Sequence, residues 1–129
     1  MSALCRGRIV WAELLDPQGR NPELRPAVIV APTDEIKADA PFACVAITST
    51  AGAAPPEDEI ALPWHADPRQ SKTGLTSPSV AVGGWRVALE GKDVRSTGGV
   101  VPAAAMLRIL ARLAEIAAGE QASDPSRGG

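Results

Sequence analysis

Arg25 stands where a polar stretch gives way to the apolar run Pro26-Ala27-Val28-Ile29-Val30. Its backbone would be fixed by the run while its guanidinium keeps contact with solvent. A guanidinium stays charged and donates in a planar fork, which matches the paired oxygens of a phosphate or carboxylate. By position alone Arg25 reads as a surface arginine that begins a strand. Thr48 and Ser49 close another apolar run. Hydroxyls there can orient a bound anion or satisfy backbone groups in a turn. Neither is a strong base unaided, since no sequence neighbour would lower its pKa. His65, the one histidine, is the only side chain whose ordinary pKa lies near neutrality. It sits in Trp64-His65-Ala66-Asp67-Pro68, and a lone loop histidine is usually just solvated. One His and two distant cysteines, Cys5 and Cys44, do not make a metal site, and no Gly-rich motif cradles a phosphate. No metal and no cofactor are expected.

The elements that position these residues follow from composition and pattern. A chain of 129 residues is one domain's length. With 45% hydrophobic and 22% charged residues it is globular. Three Trp, one Phe and no Tyr leave the core to Val, Ile, Leu and Ala. Twelve Gly and twelve Pro imply many turns and short strands. Strands are predicted at 8–14, 26–31, 42–48 and 59–62, with the second and third paired. Residues 64–73 read as loop. A strand over 74–82, interrupted by Pro78, and another over 85–89 flank a break at Gly83-Gly84. Pro102 suits the first position of a helix whose Met106, Ile109, Leu110, Leu113, Ile116 and Ala117 share a face. Arg108, Arg112 and Glu115 take the other, and Gly119 is the expected C-cap. The pattern makes a mainly β (α+β) domain over 1–118, with a disordered tail over 119–129. No signal-like or membrane-spanning apolar run is visible, so a cytoplasmic location is expected. The net charge of −2 and pI near 5.4 run against the usual basicity of nucleic-acid binders.

Three stretches carry a family resemblance: Arg6-Gly7-Arg8-Ile9-Val10-Trp11, then Leu15-Asp16-Pro17, then Arg25-Pro26-Ala27-Val28-Ile29-Val30. Together they closely resemble the opening of the MazF/PemK/Kid toxins. Ile47-Thr48-Ser49, Thr73-Gly74-Leu75, Trp85-Arg86-Val87 and the helix after Pro102 extend the likeness over roughly 6–118. The resemblance implies a small SH3-like β-barrel with a C-terminal amphipathic helix, usually a homodimer. It implies an endoribonuclease that cuts single-stranded RNA without metal and is held inactive by a cognate antitoxin. On that reading Arg25 and Thr48 are the catalytic pair. Ser49, Arg86, Arg20 and His65 would bind substrate, with Arg69, Lys72 and Arg95 as further loop cations. Trp64 and Trp85 could stack an unpaired base, although burial is the commoner fate of a tryptophan in such a domain.

The chain also departs from the family. Many members carry an Asp-Gln pair two residues before the arginine of their fifth strand, and here Gly83-Gly84 stand in that region, leaving Arg86. The loop between Asp16 and Arg25 is short, and Glu23 is a poor match for the family's glutamate. Losing a positioned acid or base costs roughly 10²–10⁴-fold in rate. A second reading is therefore a non-catalytic or CcdB-like binding protein on the same barrel, directed at an antitoxin or at gyrase. The last tryptophan is Trp85, whereas the gyrase poisons depend on one near the C-terminus, which weakens the gyrase version.

Overall fold

The computed structural model describes residues 4–16, 18–49, 52 and 54–122. Six strands form one antiparallel sheet: β1 (Arg8–Leu14), β2 (Glu23–Ile29), β3 (Phe42–Thr48), β4 (Glu59–Leu62), β5 (Ser79–Leu89) and β6 (Ser96–Val100). Their order is β4-β5-β3-β2-β1-β6, and the helix α1 (Ala103–Ala122) follows. Both faces of the sheet are covered, which is why its central strands read as unbroken apolar runs. Ile9, Val28, Val45 and Ile47 close on Met106 and Ile109 of α1. Val10, Ala12, Ile29, Phe42, Cys44 and Leu89 gather on the opposite face. Burying a side chain such as Ile109 stabilises by roughly 2 kcal/mol, and this packing is what ties α1 to the sheet.

The curled sheet is joined edge to edge by a loop rather than by a seventh strand. Buried Thr73 donates its hydroxyl to the Pro63 carbonyl at 2.7 Å. His65 N–H donates to the Leu75 carbonyl at 3.0 Å, and Gly99 N–H to the Thr73 carbonyl at 3.1 Å. Residues 63–75 thus run from the end of β4 to β6 and make the sheet a small barrel. Gly98 and Gly99 permit the approach. A Cβ on Gly98 would stand 2.5 Å from the Thr73 carbonyl oxygen and 2.7 Å from the Trp11 ring, and one on Gly99 would land on the Lys72 carbonyl.

Several expectations change. The second strand begins at Glu23, three residues before the apolar run. No break falls at Gly83-Gly84: β5 runs unbroken, and the glycines lie in a bulge. Ile47 pairs with Ala81 but Val45 with Arg86, so two steps along β3 match five along β5. The extra residues turn the strand over. Ala81 belongs to the helix-side cluster, while Trp85, Val87 and Leu89 belong to the other. Strand β6 went unforeseen because Ser-Thr-Gly-Gly-Val carries no apolar run. Pro102 precedes the helix and accepts its first bond, from Met106 N–H at 3.0 Å. Gly119 caps nothing, since α1 continues to Ala122, and 123–129 of the expected tail lie outside the described residues. From the face it shares with Glu115, Arg112 reaches Asp58 at 2.6 Å beside the bulge, and this bond chiefly, with one to Glu115, raises its pKa.

Cys44 is fully buried, and burial pushes its thiol from 9.0 up to about 12. An unfolded chain ionises this thiol near 9 and the folded chain does not. Its contribution to stability is therefore intact below pH 9 and declines as pH rises toward 12. Thiol labelling at pH 8 should modify half-buried Cys5 in the native protein and Cys44 only after denaturant is added. Equal labelling of both in the native state would contradict the packing.

Candidate active site

The ladder between β2 and β3 is only three pairs long, from Ala27↔Ala46 to Ile29↔Cys44. Val30 turns its N–H to Ala43 of β3. Alternation by two residues turns Pro26 the same way, where it has no N–H to offer. The ladder stops there, and a cleft of about 270 Å³ opens beside it. Glu23 and Arg25 of β2 form one lip, Thr48 and Ser49 at the end of β3 the other, and Thr76, Ser77 and Ser79 line the approach to β5. Arg25 alternates with Ala27 and Ile29, and Thr48 with Ala46 and Cys44, so both belong to the same face of the sheet.

The Arg25 head is held from two sides. Its Nη2 lies 2.8 Å from Glu23 Oε2, and its guanidinium carbon lies 5.4 Å from the Trp85 ring centroid. Its Nε is buried with no hydrogen-bond partner among the described residues. The side chains of Arg25 and Glu23 are 27% and 61% exposed. A pair so exposed contributes at most about 1 kcal/mol. The salt link therefore does not seal the guanidinium, and a phosphate can displace the carboxylate. Trp85 fixes where the fork points. Thr48 is 8% exposed, and Ser79, 9% exposed, donates to the Ser77 carbonyl at 2.9 Å.

The structure thus brings Arg25, Thr48 and Ser49 to one cleft and leaves the other candidates outside it. Arg86 is exposed on the second half of β5 and lines a separate depression of about 510 Å³ with Leu14, Leu15 and Asp16. Arg20 lies in the β1–β2 loop, where its N–H donates to Asp16 Oδ1 at 2.8 Å. That bond chiefly lowers the Asp16 pKa. His65 is exposed, and its Nδ1 accepts the Asp67 N–H at 3.0 Å. Gly83 and Gly84 do not line the cleft, and Gly84 adjoins Trp85, whose ring lies against the Arg25 guanidinium. Sequence reasoning set Glu23 aside as a poor match and passed over Ser79. Glu23 was findable, because two residues along an extended strand lie on one face; Ser79 was hidden by the misplaced start of β5. Trp85 is half-buried beneath Arg25, but Trp64 is 45% exposed rather than buried. Among the described residues no group of three or more His, Cys, Asp or Glu could hold a metal ion, and no helix is long and apolar enough to cross a membrane.

The sequence profile of PemK-like, MazF-like toxins of type II toxin–antitoxin systems matches residues 5–117. Among solved structures, MazF from Deinococcus radiodurans is similar at a TM-score of 0.70 and 19% identity, over 92% of this chain and 99% of that one. A MazE–MazF complex from the same organism is similar at a TM-score of 0.66 and 20% identity, over 92% and 99%. An endoribonuclease from a mycobacterial species, in complex with its cognate antitoxin, is similar at 0.64 and 20%, over 88% and 93%. No curated protein sequence matches the chain.

Proposed function

Since the chain belongs to the PemK-like, MazF-like toxins of type II toxin–antitoxin systems, we propose that its cleft cuts single-stranded RNA by 2′-oxygen attack on the adjoining phosphodiester, without a metal. The supporting observation is the placement of Arg25 and Thr48 on opposite lips of one cleft that also holds a carboxylate. The 2′-oxygen bonds to phosphorus, the bond from phosphorus to the 5′-oxygen breaks, and a 2′,3′-cyclic phosphate and a 5′-hydroxyl result. Arg25 donates to the phosphate oxygens and offsets the charge that builds there. Thr48 orients the phosphate from the other lip. The phosphate displaces Glu23 from the guanidinium, and the freed carboxylate takes the 2′-hydroxyl proton and returns a proton to the 5′-oxygen. A guanidinium and a row of hydroxyls suit an RNA phosphate held by hydrogen bonds.

The protein would act in the cytoplasm as a homodimer, with a cognate antitoxin as its inhibitor. Complexes of MazF with MazE among the similar structures support the last point. The test is antitoxin-free protein incubated with mixed-sequence single-stranded RNA in EDTA. Cyclic phosphate ends are expected from the wild type. Glu23→Gln should slow the reaction roughly 10²-fold, and Thr48→Ala should slow it as well. Intact RNA with a folded wild type would favour the binding-protein reading instead.

A further inference from the structure

The geometry points to a nucleobase subsite at Trp64, next to the cleft, where one unpaired base of the bound RNA stacks on the indole; this rests on the nuclease reading. A depression of about 150 Å³ lies beyond the Thr48–Ser49 lip, walled by Trp64, Leu62, Pro78 and Val80. Thr48, Ser49 and Ser79 line it and the cleft alike, so the two adjoin across that lip. Thr48 pairs with Val80, and Val80 with Ala61, which sets these three in one row across the sheet. Neighbouring strands stand about 4.8 Å apart. The floor of the depression therefore lies about one strand beyond the hydroxyl that orients the phosphate, within a single nucleotide's reach from phosphate to base.

The lining explains which part of the RNA belongs there. No charged side chain lines the depression, and its walls are mostly apolar, so it suits the flat face of a base and not a second phosphate. Trp64 is the one tryptophan of three that is exposed. Trp11 packs on Gly74 and Gly98, and Trp85 lies beneath Arg25. The backbone on both sides of Trp64 is pinned, with Pro63 accepting from Thr73 and His65 donating to Leu75. The indole is thus presented on a fixed support, which lowers the ordering cost of a stack. Stacking of this kind tolerates any base, so the subsite sets the strand's register more than its sequence.

The experiment is an abasic scan. A single-stranded RNA with one cleavage site is made as a series, each member lacking one base, and binding and kcat/KM are measured for wild type, Trp64→Ala and Trp64→Phe. In the wild type, removal of one base beside the cut bond should weaken binding roughly tenfold, as one lost base–aromatic stack does. Trp64→Ala should lose about as much on the complete RNA and be indifferent to removal of that base. Trp64→Phe should retain most of the affinity. If the abasic penalty persists unchanged in Trp64→Ala while cleavage proceeds, the subsite is overturned and the nuclease stands. If the wild type neither binds nor cuts the RNA, both readings fall. Trp64 is 45% exposed and outside both core clusters, so its variants should stay folded, which thermal melting checks.

Discussion

Arg25→Ala should cut single-stranded RNA at least about 10³-fold more slowly than the wild type, with Arg25→Lys recovering only a small part of the loss. Removing one donor from a developing oxyanion typically costs about 10²–10³-fold in rate. Arginine supplies a charged fork with several donors, so its loss should reach the upper end. Lysine keeps the charge but cannot bind in the same bidentate way or set a planar guanidinium 5.4 Å from the Trp85 ring centre. Part of any effect could arise from packing, because only 27% of the Arg25 side chain is exposed. The cation–ring contact is worth about 1 kcal/mol, so the thermal midpoint of Arg25→Ala should fall by only a few degrees. Single-turnover rates separate the two effects. Equal cutting by wild type and Arg25→Ala would move the chemistry to another place on the molecule.

The second large effect should be on folding. Gly99→Ala is expected to cost about 3 kcal/mol or more and to lower the thermal midpoint by roughly 10 °C. The added Cβ would land on the Lys72 carbonyl, which is backbone and cannot swing aside as a side chain could. Relief requires β6 and the 72–73 segment to part, and that breaks the Gly99 N–H bond to the Thr73 carbonyl. Gly119→Ala is the internal control: a Cβ there meets nothing within 4 Å, and alanine favours the helix it would join. Calorimetry or urea unfolding of the two variants decides the matter. A Gly99→Ala protein as stable as the wild type would show that the barrel is not closed as described.

Much of this architecture is legible before any coordinates. The runs at 8–14 and 42–48 coincide with β1 and β3 because their residues pack on both faces of the sheet, and 59–62 with β4 because Ile60 and Leu62 are buried on one face. The face of α1 is legible for the same reason at Met106 and Ile109, both buried. What fails is structure held by backbone rather than by apolar side chains. Strand β6 lies between a register shift on β1 and the 72–73 loop, and its glycines are there for close approach. Gly83-Gly84 reads locally as a stop, but β3 pairs with β5 on both sides of it, at Ala81 and at Arg86, while the β4 ladder ends at Val82. Arg25 and Thr48 are legible as a pair only through family likeness. Their shared cleft depends on where a ladder ends 20 residues or more apart in sequence, which no local pattern encodes. Glu23 and Ser79 reach the cleft through that same ladder end.

The stack of Arg25 on Trp85 has a consequence for watching the molecule at work. An indole emits, and its emission follows the charge beside it. Any polyanion that pulls the guanidinium off the ring changes the electric field on the chromophore, so the cleft carries a built-in optical gauge of its own occupancy, readable without a dye. An antitoxin that merely covers the cleft and leaves that cation in place would be silent to the same gauge, whereas one that reaches in with an acidic side chain would register on it.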